Sequence, residues 1–142
     1  MSNHARPLPE PDADSAPYWQ GCREHRLLLR RCTDCGGVQF PPGPRCPDCG
    51  ARTHDWVEAS GRGWVFSWIV VHHPVPREVY QDEVPYVVAL IELAEGPRLA
   101  ANIVGCEPAA ISAGMAVTVE FEDVTEQITL PRFRPTQPAT PT

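Results

Sequence analysis

Lysine is missing from this chain: all twelve of its basic residues are arginine. No side chain can therefore form a Schiff base with a carbonyl substrate, which excludes the lysine-dependent aldolase mechanism. Long apolar runs are missing too. No stretch approaches the roughly 20 apolar residues that a membrane-spanning helix needs, and the opening MSNHARPLPEPDADSAP has no apolar centre of the kind a secretory signal carries. A cytoplasmic protein with no membrane partner is expected. Ser2, Ser15, Ser60, Ser67 and Ser112 stand in no nucleophile elbow, and no nucleophile–base–orienter set is visible, so no catalytic residue is assigned. With 17 prolines and 10 glycines in 142 residues, long helices are not expected.

What the chain does contain is ample apolar material, 42% of its residues, enough for one ordinary domain or two small modules. Its formal charge of −6 is unevenly distributed. Residues 1–54 carry seven arginines against six acids, whereas residues 55–142 carry five against twelve. An acidic second half argues against nucleic acid as a partner.

Four of the six cysteines form two matched units, Cys32-Thr33-Asp34-Cys35-Gly36 and Cys46-Pro47-Asp48-Cys49-Gly50. In a chain without a secretory signal, paired C-x-x-C units read as metal ligands rather than disulfides. Two residues between cysteines let a tight turn aim both sulfurs at one metal about 2.3 Å away, and the glycine permits the positive φ that opens the next turn. Cys32, Cys35, Cys46 and Cys49 are therefore expected to bind one zinc ion. Four thiolates fill its tetrahedral shell, so the expected role is structural. The alternatives are iron or an iron–sulfur cluster, which share S4 ligation, and a redox dithiol.

The remaining cysteines, Cys22 and Cys106, read as small buried hydrophobes. His72 and His73 are adjacent on a strand and point to opposite faces, which does not suit a shared task. Glu120 and Glu122 read as the solvated side of a strand, and Gly61-Arg62-Gly63 as a turn. Arg23, Arg26, Arg30 and Arg31 form the one basic concentration. It reads as solvated surface, or as contacts for the phosphates of a ligand such as coenzyme A or for an acidic partner.

Residues 1–14 and 135–142 are Pro-rich and polar and read as flexible tails. Between them, residues 15–56 hold a short helix, with Ser15 as its cap and Tyr18, Trp19 and Cys22 on one face, followed by the metal-binding ribbon. Residues 57–134 read as strands over 63–73, 86–93, 98–104, 115–122 and 127–133. The first places Trp64, Phe66, Trp68 and Val70 on one face, and the second is apolar enough to be covered on both. The second and third form a hairpin across the Glu-Gly-Pro turn, and residues 107–114 allow a single helical turn before the fourth. This mainly β pattern fits a five-stranded Greek-key barrel of the OB type, with another small barrel or an open sandwich as the alternative.

The order of these features resembles the zinc-ribbon OB-fold proteins that accompany acyl-CoA thiolases and thiolase-like steroid side-chain aldolases. The resemblance is carried by PYWQGCREHRLLLRRCTDCG, CPDCG, SGRGWVFSWIVV, PYVVALIEL with AEGPRL, GMAVTVEF and RFRP, over about residues 15–134. It implies a rubredoxin-like zinc ribbon ahead of the OB barrel. It further implies a non-catalytic accessory subunit in a hetero-oligomer with a thiolase-like enzyme, helping to assemble the complex and shape its coenzyme A and substrate channel. A retro-aldol lyase cleaving a steroid or other bulky β-hydroxyacyl-CoA side chain is favoured as the assisted enzyme, with the acyl-CoA thioester as substrate of the complex. The alternatives are a stand-alone acyl-CoA-binding module and a single-stranded nucleic-acid-binding OB protein.

Overall fold

The computed structural model describes residues 7–136. The rest of both expected tails, 1–6 and 137–142, lies outside the described residues. The chain begins its ordered path at a reciprocal contact: the Ser15 N–H donates to Asp12 Oδ1 at 2.8 Å and the Asp12 N–H to Ser15 Oγ at 3.0 Å. The capping role expected of Ser15 thus moves upstream to Asp12, because Ser15 itself has helical dihedrals. The helix α1 spans Ala16–Arg23 and buries Tyr18, Gly21 and Cys22. It stops where His25 enters the left-handed region at φ 58°.

Gly21 allows α1 to lie directly on the strand that follows, β1 (Leu28–Cys32). A Cβ at position 21 would sit 2.7 Å from Leu28 Cγ and 2.9 Å from the Arg26 carbonyl oxygen. β1 is the centre of a three-stranded antiparallel sheet, with β2 (Val38–Gln39) on one side and β3 (His54–Glu58) on the other. β3 runs in unbroken register along β1, from Leu28 opposite Glu58 to Cys32 opposite His54. Its polar sequence HDWVE gave no strand signal in the sequence.

The remaining strands are β4 (Arg62–Val71), β5 (Tyr86–Leu93), β6 (Arg98–Ile103), β7 (Ala116–Asp123) and β8 (Thr129–Pro135). They close into a barrel in the order β4-β5-β6-β8-β7. The β5–β6 hairpin, the parallel contact of Ile103 with Phe133 and the turn Pro108–Ala110 between β6 and β7 complete the OB arrangement. The last strand runs to Pro135, two residues past its expected end, because its pairing with β7 continues to Val117. A short helical turn, α2 (Arg77–Tyr80), lies in the connection from β4 to β5.

The barrel interior is filled by alternate residues: Val65 of β4, Val87, Ala89 and Ile91 of β5, Val117 of β7 and Phe133 of β8. The same core continues through Ala59 into Leu27, Leu29, Tyr18 and Cys22, so the root of the ribbon and the barrel share one apolar interior. Burying each such side chain contributes about 1.5–3 kcal/mol. Two expectations fail here. Trp64 and Phe66 point outward, 44% and 48% exposed, because Gly63 and Val65 take the inward positions. An irregularity between Val65 and Ser67 then switches the phase, so that Trp68 and Val70 face the core while Ile69 is 62% exposed. Nor is β5 covered on both faces: Val88 and Leu90 of its outer side are only half-buried. The outer surface of β4 and β5 consequently carries Trp64, Phe66, Ile69, Val88 and Leu90, with Glu92 opposite Trp64 and the Arg98 guanidinium 3.7 Å over the Phe66 ring.

Candidate metal centre

Both cysteine units fold identically. The Gly36 N–H donates to the Cys32 carbonyl and the Cys32 N–H to Gly37, while the Gly50 N–H donates to Cys46 and the Cys46 N–H to Ala51, all at 2.8–2.9 Å. Gly36 and Gly50 occupy φ 79° and 78°, the left-handed region that opens each turn. The two turns face each other and bring four sulfurs to within 4.8 Å of one another. Cys32 and Cys49 lie 3.6 Å apart across the pair, as do Cys35 and Cys46. A tetrahedron with zinc–sulfur bonds of about 2.3 Å has edges of about 3.8 Å, so these separations fit a zinc shell. They are far longer than the S–S bond of about 2.05 Å that a disulfide would require.

Backbone amides support the sulfurs: the Asp34 and Cys35 N–H groups donate to Cys32 Sγ and the Asp48 N–H to Cys46 Sγ, each at 3.4 Å. The donors hold Cys32 down at about 7, led by the Cys35 amide and joined by that of Asp34. At Cys49 the Ala51 amide lowers the thiol, but the Cys32 thiol, burial and the other two sulfurs outweigh it and push the group up to about 12. One low and one high thiol is the expected state of four crowded sulfurs, since each thiolate opposes ionisation of the next. A dication reverses this by favouring all four thiolates together. The shell then has no open position for water or substrate, so the centre can brace the fold but offers no site for chemistry.

The four arginines singled out in the sequence do not form one patch. Arg30 is interior, 1% exposed, and its guanidinium donates to Gln39 Oε1, the Pro44 carbonyl and the Arg52 carbonyl. Its expected place at the surface is corrected: alternation along β1 turns Arg30 inward with Cys32 and leaves Arg31 outside. Arg31 pairs with Asp55 at 2.7 Å, and Arg26 with Glu58 at 3.0 Å and Glu24 at 3.2 Å. Arg23 is exposed and donates to Gln20.

Of the other cysteines, Cys22 is fully enclosed and burial pushes its thiol up to about 11, as befits an unreactive core residue. Cys106 lines a groove of about 860 Å³ beside the barrel, together with Leu8, Tyr80, Tyr86, Leu130 and Arg132. None of the four arginines above reaches that groove. Arg132 within it is held by Glu122 at 2.7 Å and by Asn102. Glu120 and Glu122, expected on a solvated face, pair there with Arg134 and Arg132.

Comparison with known proteins follows the same division. Residues 19–55 match the family model described as the rubredoxin-like zinc ribbon domain of ChsH2, and residues 56–122 that of its C-terminal OB-fold domain. The chain is 37% identical to a DUF35 domain-containing scaffold protein of Methanocaldococcus jannaschii, over 76% of this chain and 77% of that protein. It is 45% identical to a probable enoyl-CoA hydratase alpha subunit of Thermomonospora curvata, over 94% of this chain. It is 36% identical to the 3-oxo-4,17-pregnadiene-20-carboxyl-CoA hydratase alpha subunit of Mycobacterium tuberculosis, over 81% of this chain. It spans only 41% and 36% of the length of those two relatives. Among solved structures, a chain of the Ltp2-ChsH2(DUF35) aldolase superimposes with a TM-score of 0.81 at 45% identity, covering 89% of this chain and 98% of that one. A DUF35 protein from Sulfolobus solfataricus, 16% identical with a TM-score of 0.63, shares the fold.

Proposed function

We propose that this chain, which belongs to the ChsH2/DUF35 family of zinc-ribbon and OB-fold proteins, is a non-catalytic subunit that binds one structural zinc and docks on a thiolase-like acyl-CoA enzyme. The observation that carries the proposal is the likeness to a chain of the Ltp2-ChsH2(DUF35) aldolase along 98% of that chain's length. The assisted reaction is a retro-aldol cleavage of a steroid or other bulky β-hydroxyacyl-CoA, and its catalytic groups belong to the partner. Two features of this chain support a supporting rather than a chemical role. Its sulfur shell is closed once filled, and its barrel leaves Trp64, Phe66 and Ile69 exposed on one outer face. Exposed aromatic and aliphatic side chains bordered by a charged pair, here Arg98 over the Phe66 ring at 3.7 Å and Glu92, are characteristic of protein contact surfaces.

Co-expression with the thiolase-like subunit followed by size exclusion tests the assembly: co-elution is expected, and separate elution overturns the reading. Metal analysis of the purified chain is expected to find one zinc; iron with a visible sulfur-to-metal chromophore in its place overturns the zinc assignment. Arg23, Arg26 and Arg31 remain the residues proposed to meet the phosphates of coenzyme A at the partner interface, whereas the interior Arg30 leaves that set. Charge reversal at Arg23 is expected to raise KM for the acyl-CoA in the complex.

The groove beside Tyr80 and Tyr86 favours a second reading, a stand-alone acyl-CoA-binding module. Calorimetry with acyl-CoA on the isolated chain separates the two, since the subunit reading expects weak binding until the partner is present.

A further inference from the structure

Arg30 has surroundings unlike those of most arginines in folded proteins. It is fully enclosed, yet each of its three hydrogen bonds goes to a neutral oxygen, and its Nε has no hydrogen-bond partner. No described carboxylate reaches it, although Arg31 next to it pairs with Asp55 and Arg26 with Glu58. A guanidinium cannot escape this position by losing its proton. A buried cation without a counter-charge is strongly disfavoured, so a compensating negative charge must lie close by.

The position of the guanidinium identifies that charge. Arg30 and Cys32 are two residues apart on β1 and both are buried, which puts them on the same face of the strand. The acceptors of Arg30 bracket the second cysteine unit: Pro44 lies two residues before Cys46 and Arg52 three residues after Cys49. Gln39, on β2, follows the first unit. The guanidinium therefore joins the roots of both turns. Four thiolates around a dication carry a net charge of −2, and backbone amides contribute only partial charges against it.

Resting on the reading of the cysteines as a zinc site, we infer that Arg30 is the internal counter-cation of that centre. The arginine makes the dianionic shell tolerable in a small interior, and the shell makes the buried arginine tolerable in turn. Each lowers the cost of the other.

The test measures zinc affinity of the full chain by competition with a chromophoric chelator. Arg30→Met and Arg30→Gln are expected to weaken binding about 10–100-fold, the range found when groups behind metal ligands are removed. Arg30→Lys, which keeps the charge but not the fork, is expected to stand several-fold closer to the native chain than Arg30→Gln. Arg45→Met removes an equal charge directly before Cys46, but from an exposed side chain, and is expected to stay within about threefold of native because solvent already screens it. The comparison of Lys with Gln decides the matter even where the Met variant does not fold. A native chain without zinc overturns the metal reading and this inference together. A native chain with one zinc, alongside Arg30→Gln binding as tightly as native or as Arg30→Lys, overturns the role of Arg30 alone.

Discussion

The ribbon and the barrel reach order by different means although they share one interior. In the barrel, strand pairing closes on itself and alternate apolar residues such as Val87, Ile91 and Phe133 fill the space inside, so every part is supported from several directions. The ribbon has three short strands and an apolar root at Leu27 and Leu29 extended by Val38 and Phe40, but the two cysteine turns themselves, 32–36 and 46–50, contain no apolar side chain besides their cysteines and Pro47. What holds that end is polar: four sulfurs, the amides that face them and one buried arginine. Hydrophobic closure suits a volume large enough to exclude water; a projecting turn has no such volume and needs a metal instead.

Breaking one region while watching the other sharpens this contrast. The largest effect is expected from removing zinc, by chelation or by Cys46→Ser. The ribbon should lose its order and the partner should no longer co-elute, while far-UV circular dichroism still reports the barrel's strands. Retention of full complex and activity by the chelated protein would overturn the bracing role. Phe133→Ala attacks the other region. It empties the centre of the barrel and is expected to cost about 3–5 kcal/mol in chemical denaturation, with zinc stoichiometry unchanged in the protein that remains folded.

Smaller effects probe the seams. Gly21→Val would drive side-chain atoms against Leu28 and the Arg26 carbonyl, and a loss of about 1–3 kcal/mol is expected in the same denaturation measurement. Trp64→Ser together with Phe66→Ser should leave thermal stability nearly intact, since both side chains stand outside, yet reduce co-elution with the partner. Acidity distinguishes the regions last. Zinc uptake requires four thiolates, and in the metal-free ribbon Cys32 lies at about 7 and Cys49 at about 12, so zinc must displace protons and its affinity should fall as pH falls. Protons released on zinc addition, followed with an indicator dye, provide the check.

The same contrast explains which features could be read from the sequence. The convergence of Cys32, Cys35, Cys46 and Cys49 was legible because it is set locally: spacing and glycine position alone define each turn. The β5–β6 hairpin was legible for the same reason, with its turn residues adjacent in the chain. The outward placement of Trp64 and Phe66 was not, because a phase switch near Phe66 reverses which alternate residues face inward, and periodicity cannot register a single displaced residue. β3 was missed because it is ordered by pairing with β1 rather than by any preference of its own sequence.

Sequence alone determined that four cysteines would converge, that the second half would be a small five-stranded β unit, and that this chain would offer no lysine chemistry. All three follow from residue identity and short-range spacing. Only the tertiary structure decided which arginine of the Arg30-Arg31 pair is interior and that Trp64 and Phe66 are left on the outside of the barrel. Those outcomes depend on which neighbour a strand meets across space: β1 lies between two strands, its Arg30 and Cys32 face is enclosed, and its other face buries Leu29 in the core but leaves Arg31 exposed. Two identical residues side by side therefore acquire opposite roles, one paired with Asp55 at the surface and the other the charge enclosed beside the cysteine turns.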